Sequence, residues 1–187
     1  TYEKNFPNTK NIGDISKINL NDFKKLKNKV DIVTAGFPCQ PFSFAGKKKG
    51  FKDKRGGLFF DIMNFVNCTK PKVILLENVR YLMTIDKGKV IKKILNSLKK
   101  DYHVYGPEIL KSLDFGVPQN RRRVFILATK KKINYEFPCP IKKKCTVSDI
   151  LDSHKDTRSY IISDKLWKGH VNRRKRNKKR GVGFGYG

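Results

Sequence analysis

Apolar residues are grouped in short runs between polar, basic segments, and the runs predict four strands. "VDIVTAGF" at residues 30–37 and "VILLENV" at 73–79 are continuous apolar runs, which are typical of strands buried on both faces of a parallel sheet. "YHVYGPEILKS" at residues 102–112 and "RVFILATKK" at 123–131 predict two further strands. These two form a hairpin around the turn residues of "DFGVPQNRR".

Two longer segments between these strands have apolar residues at helical spacing. In "GGLFFDIMNFVNCTK", residues 56–70, the apolar positions are Leu58, Ile62, Phe65 and Val66. "GKVIKKILNSLKKD", residues 88–101, predicts an amphipathic helix, and a shorter helix is expected to begin near Asn21. Strands that alternate with helices indicate an α/β fold, a doubly wound sheet with helices on both faces.

The character of the chain changes near residue 131. Residues 1–130 hold all the predicted strands and form the expected core domain. Residues 131–187 are proline-broken and basic, and end in alternating glycines after a Lys/Arg cluster. We expect a linker and the start of a small basic domain there, with the Lys/Arg cluster contacting phosphates and the glycine tail in a loop.

The net charge of the chain indicates which kind of molecule it binds. The 187 residues contain 43 Lys and Arg but 16 Asp and Glu, a net charge of +27. Such an excess favours nucleic acid as a partner, although a general bias toward Lys would raise the charge too, and charge alone does not separate DNA from RNA or a membrane surface. No apolar run approaches the roughly 20 residues of a membrane span. The expectation is a soluble intracellular protein.

Cysteine is the most reactive residue type at a predicted strand end. The four cysteines lack the clustered spacing of a zinc site, and disulfides are uncommon inside cells. Cys39 follows the first apolar run, between Gly36, Pro38 and further loop residues, where open α/β sheets place their chemistry. Position alone favours inert packing over a nucleophile. No arginine follows at the spacing of a phosphatase loop, and no histidine has the context of a hydrolase base.

Other strand ends add a carboxylate and guanidinium groups. Glu77 and Asn78 end the run "VILLENV", where Glu77 is either a backbone cap or a general acid. Arg121 and Arg123 immediately precede or begin the last strand, and extended backbone turns both to the same side. A thiolate, an acid and guanidinium groups suit an electron-poor ring: the thiolate attacks, the acid protonates a ring nitrogen, and arginine holds an oxygen.

The segments "GFPCQPFSFAG", "LLENVRYL" and "FGVPQNRRRVFILA", in this order, resemble the central blocks of the cytosine-C5 DNA methyltransferases. "GDI" at residues 13–15 and "KDKRGGLFFDI" at 52–62 resemble two further blocks, so that the resemblance covers about residues 1–130. It implies a Rossmann-like methyltransferase sheet, S-adenosylmethionine as cofactor, and duplex DNA as substrate, with a flipped cytosine. It also implies a restriction–modification or phage enzyme, cytoplasmic and nucleoid-associated, without a metal or a membrane.

Residue by residue, the resemblance implies that Cys39 adds to C6 of the flipped cytosine and that Glu77 protonates N3. Arg121 and Arg123 are expected to steady the addition and the O2 side. Residues 42–57 are expected to form a loop that closes over the base. The remaining implied site residues contact the cofactor (Asp14, Ile15, Pro38 and Leu58) or the substrate (Gln40, Ser43, Asn78 and Gln119).

Three further blocks of that family are not found: a Phe-x-Gly-x-Gly turn that holds the cofactor, and the last two blocks. We therefore expect an internal portion of a methyltransferase, with an open sheet edge, whose glycine turn is supplied by a second chain or by more of the same polypeptide. Two alternatives stay open. One is a non-catalytic DNA-binding fragment; the other is a tRNA-directed relative, whose usual Cys-Phe-Thr signature is not found.

Overall fold

The computed structural model describes residues 2–38, 57–141, 145–151 and 161–181, and these divide between two compact units, Thr1–Thr146 and Val147–Gly187. The helices are α1 (Tyr2–Asn5), α2 (Leu20–Lys24), α3 (Leu58–Thr69), α4 (Lys89–Lys99) and α5 (Asp164–Lys179). The strands are β1 (Ile32–Gly36), β2 (Val73–Val79), β3 (His103–Lys111) and β4 (Arg122–Thr129). All four strands and α1 to α4 belong to the first unit.

The four strands form one mixed sheet in the order β1-β2-β4-β3. β1 and β2 are parallel and are joined through α3, as a parallel pair requires a crossover connection. β4 is antiparallel to both β2 and β3, which confirms the predicted hairpin. The predicted α/β class is confirmed: a sheet flanked by helices.

One hydrophobic core joins the sheet to α3 and α4. Burial alternates along β2, where Ile74 and Leu76 are buried and their neighbours are half-buried. Phe59 of α3 and Leu98 of α4 are among the most deeply buried side chains of the same core cluster. Each such side chain contributes about 1.5–3 kcal/mol by leaving water, so these contacts hold α3 and α4 against the sheet.

Tyr102, between α4 and β3, closes the core at the edge where β2 begins. Its hydroxyl donates a hydrogen bond to the Pro71 carbonyl oxygen at 3.0 Å, and Lys130 Nζ lies 4.1 Å from the ring centroid. Burial, followed by the nearby Asp101 charge, raises the pKa of Tyr102 to about 12. The phenol therefore keeps its proton and its hydrogen bond throughout the neutral pH range.

β1 differs from its prediction as a strand buried on both faces. Val33 is buried and Ala35 half-buried, but Ile32 on the other face is 61% exposed. Within the described residues β1 has β2 as its one strand neighbour, so it lies at an edge of the sheet. An apolar composition permits burial on both faces, whereas the neighbours that would bury the second face are not encoded in the strand itself.

The second unit contains α5, a sixteen-residue helix that apolar spacing does not predict. Ser163 caps its start by accepting a hydrogen bond from the Leu166 backbone N–H at 3.4 Å. Lysine and arginine are good helix formers, which explains the helix without an apolar stripe. The predicted glycine-tail loop, residues 182–187, lies outside the described residues. None of the described helices is long and apolar enough to cross a membrane.

Candidate active site at the ends of β1 and β2

Glu77 near the end of β2 meets Arg123 of β4 and Arg121, which directly precedes that strand. Arg123 Nε lies 2.9 Å from Glu77 Oε1, and an Arg121 terminal nitrogen lies 3.7 Å from the same oxygen. The first distance is that of a charge-assisted hydrogen bond, whereas the second is a longer ion pair. The Arg123 side chain is 22% exposed and that of Arg121 51%. The structure thus brings three sequence-predicted residues into one partly exposed cluster.

Strand register explains this cluster. Val79 of β2 lies opposite Arg123 of β4, and Glu77 lies opposite Phe125. Glu77 and Arg123 are therefore diagonal neighbours on one face of the sheet, within reach of long side chains. Gly36 of β1 lies beside Glu77, and a Cβ at Gly36 would lie 3.4 Å from Glu77 Oε2. The carboxylate is consequently flanked by arginine on one side and by bare backbone on the other.

Asn78 faces the opposite side of the sheet from Glu77 and is 4% exposed. Its Nδ2 donates a hydrogen bond to the Phe37 carbonyl oxygen at 2.8 Å, and its Oδ1 accepts one from the Val79 backbone N–H at 2.9 Å. Phe37 is itself buried, and its ring centroid lies 5.5 Å from that of Phe59. Asn78 therefore ties the segment after β1 to β2 and does not join the Glu77 cluster.

Replacing Asn78 by alanine is expected to lower the free energy of unfolding by about 1–3 kcal/mol, because the buried Phe37 carbonyl loses its donor. Urea denaturation of the wild type and the variant measures this difference. Asn96→Ala is the control, since Asn96 is an exposed residue of α4 and its replacement is expected to change stability by less than about 0.5 kcal/mol. Equal midpoints and slopes for N78A and the wild type would contradict the anchoring contact.

Gln119 and Arg121 lie in a turn that Ser112 holds, a residue that sequence reasoning missed. The Ser112 hydroxyl donates to the Gln119 carbonyl oxygen and accepts from the Arg121 backbone N–H at 3.1 Å. The Ser112 N–H donates to the Arg121 carbonyl oxygen at 2.9 Å. Gln119 is exposed, and these bonds use its backbone. A serine at the end of a predicted strand was the available signal, since its hydroxyl often closes a turn.

The predicted cofactor residues lie in three places. Asp14 is exposed and caps a short 3-10 helix at Ile15–Lys17; Gly13 before it has φ of 80°, which favours glycine. Ile15 is half-buried and packs on the core, and its 3-10 helix contacts α3, whose first residue is the half-buried Leu58. Pro38 is exposed after β1.

The two carboxylate oxygens of Asp14 differ in their hydrogen bonding. Its Oδ1 accepts hydrogen bonds from the Ser16 hydroxyl at 2.8 Å and the Ser16 backbone N–H at 3.0 Å. These two bonds hold the pKa of the Asp14 carboxyl below its ordinary value. Its Oδ2 accepts no hydrogen bond from the residues that the structure describes.

Cys39, Gln40 and Ser43 lie outside the described residues, as does most of the predicted closing loop at 42–57. The cysteines that are described, Cys68, Cys139 and Cys145, are free thiols. Within the described ranges there is no group of three or more His, Cys, Asp or Glu side chains that could hold a metal ion.

Solved structures with the same fold are methyltransferases. The methyltransferase EhMeth of Entamoeba histolytica matches 91% of this chain and 53% of its own with a TM-score of 0.69 and 25% identity. The Dnmt2 methyltransferase of S. pombe matches 90% of this chain and 55% of its own with a TM-score of 0.67 and 25% identity. The fold is therefore that of the Rossmann-like α/β methyltransferases.

Sequence comparison defines the family. The C-5 cytosine-specific DNA methylase family matches residues 1–187, and the chain belongs to it. Type II methyltransferase M1.ScrFI of Lactococcus lactis subsp. cremoris is 46% identical over all of this chain and 48% of its own length. Type II methyltransferase M.NlaX of Neisseria lactamica is 45% identical over all of this chain and 58% of its own. The chain thus spans about half the length of these curated relatives.

Proposed function

We propose that this chain contributes the catalytic centre of a DNA (cytosine-5)-methyltransferase of the restriction–modification type. In the proposed reaction Cys39 Sγ would add to C6 of a cytosine in duplex DNA, and the activated C5 would take the methyl group that S-adenosylmethionine supplies, with S-adenosylhomocysteine as the leaving group. Loss of the C5 proton and cleavage of the Sγ–C6 bond then release methylated DNA and the thiolate. The relatives named as Type II methyltransferases support the restriction–modification type.

The observation that supports this proposal most is the carboxylate–guanidinium cluster beside the end of β1. Gly36 pairs with Glu77 across the two parallel strands, and Asn78 anchors Phe37. Cys39 follows Pro38 directly in the sequence, three residues after the last residue of β1, Gly36. A nucleophile and a general acid from two neighbouring strand ends are what addition to a cytosine ring requires.

Glu77 is the proposed proton donor to N3 of the base. Its hydrogen bond with Arg123 fixes the carboxyl group at the strand end, and Gly36, which has no side chain, lies beside Oε2. Protonation at N3 withdraws electrons from C6 and favours thiolate addition there. Arg121 lies farther from Glu77 Oε1 than Arg123 does, and its side chain is more exposed. It is proposed to contact the O2 side of the base.

The resemblance implies that Asn78 contacts the substrate, but its hydrogen bonds in the structure favour a different role. Both ends of its carboxamide already have backbone partners, and the side chain is buried. We therefore propose that Asn78 positions the nucleophile-bearing segment. Gln119, which is exposed in the turn before Arg121, remains a proposed substrate contact, as do Gln40 and Ser43.

The residues near α3 fit the adenosine end of S-adenosylmethionine. Asp14 Oδ2 is an available acceptor for an amino or hydroxyl group, and the half-buried Ile15 and Leu58 offer apolar surface for a ring. Pro38 is proposed to bound the same space from the end of β1. When bound, the cofactor supplies a methyl group on a sulfonium, which is electrophilic enough for an activated C5.

The open edge at β1 is the proposed location for the cofactor's glycine turn, supplied by a second chain or by further polypeptide. Ile32 on this edge strand is 61% exposed, and a strand added beside β1 would reduce its exposure. Unpaired backbone groups on a sheet edge accept such a strand readily. Duplex DNA as the substrate makes nucleoid association a further prediction.

Covalent trapping tests the proposal directly. The purified chain is incubated with S-adenosylmethionine and a pool of randomised duplexes that contain 5-fluorocytosine. Fluorine does not leave C5 as a proton does, so a methylating cysteine stays bonded to its substrate. We expect an adduct of protein and DNA that survives denaturation, with DNA as the substrate and no adduct on a matching RNA duplex.

A complete family member on its own site is the positive control for the trap. If that enzyme is trapped and this chain is not, catalysis by this chain alone is contradicted while family membership stands. Addition of a polypeptide carrying the glycine turn then distinguishes a divided enzyme, which would form the adduct only in the mixture, from a non-catalytic DNA-binding fragment.

A further inference from the structure

α5 carries a strong positive charge that the proposed catalytic cluster does not use. Eight of its sixteen residues are lysine or arginine and one is acidic. At 3.6 residues per turn, five of these cations share an arc of roughly 100°. We call them the basic stripe: Lys165, Lys168, Lys175, Arg176 and Lys179. All five are exposed, so one face of α5 presents only cations and Asn172.

The rest of the α5 surface is mixed in character. His170, Val171 and Asn177 are half-buried, whereas Leu166 and Trp167 are about half exposed. His170 Nδ1 accepts a hydrogen bond from an Arg173 guanidinium nitrogen at 2.8 Å. Five of the eight cations of α5 therefore lie on one side of the helix, in the basic stripe.

The basic stripe is not neutralised by ion pairs in the part of the chain that the structure describes. None of the ion pairs between described residues involves its five side chains. Like charges three and four residues apart, such as Lys175 and Lys179, destabilise a helix by about 0.2–0.5 kcal/mol per pair. A polyanion along this face would remove the repulsion, and cations at the helix C-terminus already suit its dipole.

The dimensions of the basic stripe suit a phosphate backbone. Lys165 and Lys179 are fourteen residues apart, about 21 Å along the helix axis. A DNA duplex presents a phosphate every ~3.4 Å of its axis on each strand, so this length corresponds to about six base pairs. A row of five long cationic side chains over that distance can neutralise several backbone phosphates without reading any base.

We propose that the basic stripe of α5 binds the phosphate backbone of duplex DNA and supplies sequence-independent affinity outside the catalytic cluster. This inference rests on the proposed DNA substrate and names the surface that holds it. Because each neutralised phosphate releases counterions, the dependence of affinity on salt counts the contacts that the stripe makes.

Charge neutralisation within the stripe tests the proposal. The stripe variant replaces Lys168, Lys175 and Lys179 by glutamine. The matched control replaces three exposed lysines of α4, Lys89, Lys92 and Lys99, by glutamine and so removes the same net charge. Fluorescence anisotropy gives the Kd of each protein for a randomised duplex over a series of salt concentrations. Circular dichroism checks that both variants keep the helicity of the wild type.

The stripe variant is expected to have a log Kd against log salt slope shallower by about 2.7, which is ~0.9 for each of three lost contacts. The control should keep a slope close to that of the wild type. Equal slopes for the two variants, or no change in either, would overturn the proposal. Stripe-dependent binding to vesicles of anionic lipid or to duplex RNA, with no effect on duplex DNA, would overturn it as well.

The binding assay and the trapping assay test the two proposals independently. If the wild type forms no covalent adduct but the stripe variant has a shallower salt dependence, phosphate binding by the basic stripe is supported and the proposed catalysis is contradicted. If the wild type forms the adduct but the stripe and control variants bind DNA with the same salt dependence, the proposed catalysis is supported and phosphate binding by the basic stripe is contradicted.

Discussion

Replacing Cys39 by alanine is expected to abolish both methyl transfer and the 5-fluorocytosine adduct. Removing a catalytic nucleophile costs on the order of 10⁶ in kcat where the reaction depends on a covalent intermediate. Glu77, Arg121 and Arg123 remain in the variant, but without a thiolate at C6 the C5 atom of cytosine is not nucleophilic enough to take the methyl group. The measurements are transfer of labelled methyl groups to duplex DNA and the denaturation-resistant adduct.

Cys139→Ala is the matched control for this experiment, because Cys139 is an exposed free thiol of the same unit. It is expected to leave the adduct unchanged. Duplex affinity of C39A should stay near that of the wild type, since phosphate contacts dominate it. An adduct that persists in C39A, or that disappears equally in C139A, would be incompatible with Cys39 as the nucleophile.

The sequence could predict those parts of the site that depend on short-range periodicity. Alternation along extended backbone placed Arg121 and Arg123 on one side, and both contact Glu77 Oε1 in the structure. Which arginine comes closer depends on the pairing of Val79 with Arg123. That register is set by contacts between strands about 45 residues apart, so no local pattern encodes it.

Adjacency in the sequence was misleading for Asn78. The pair Glu77 and Asn78 reads as one polar strand end, yet a strand turns successive side chains to opposite faces. Glu77 consequently meets the arginines, while Asn78 is buried against the Phe37 carbonyl. The need of that carbonyl for a donor becomes apparent only when β1 and β2 are placed side by side.

β1 and α5 show two limits of apolar patterning. The run at residues 30–37 predicted burial on both faces, but Ile32 is exposed because an apolar side chain does not specify which element covers it. The apolar pattern did not predict α5, because helix propensity and the Ser163 cap form this helix without apolar periodicity. By contrast, α3, α4 and the hairpin of β3 and β4 agree with their predictions because periodicity and turn residues point the same way.

Glu77→Gln is expected to lower the rate of methyl transfer, and of adduct formation, by about 10²- to 10⁴-fold. The amide keeps the size of the carboxyl group and can still accept a hydrogen bond from Arg123 Nε, so the strand end retains its geometry. Glutamine cannot transfer a proton to N3, however, and loss of a positioned general acid has an effect of this size. Single-turnover kinetics at saturating DNA measure the change without a contribution from binding.

Glu108→Gln provides the comparison that separates proton transfer from a simple change in net charge. Glu108 is an exposed carboxylate of β3, and its replacement alters the total charge by the same amount as E77Q. It is expected to leave the rate within about twofold, because Glu108 is exposed and forms no ion pair with Arg121, Arg123 or any other described residue. Equal rates for E77Q and the wild type would exclude Glu77 as the acid, whereas equal losses in E77Q and E108Q would assign the effect to net charge. A loss confined to E77Q, with unchanged duplex affinity, would show that the cluster at the end of β2 acts on the base rather than holding the DNA.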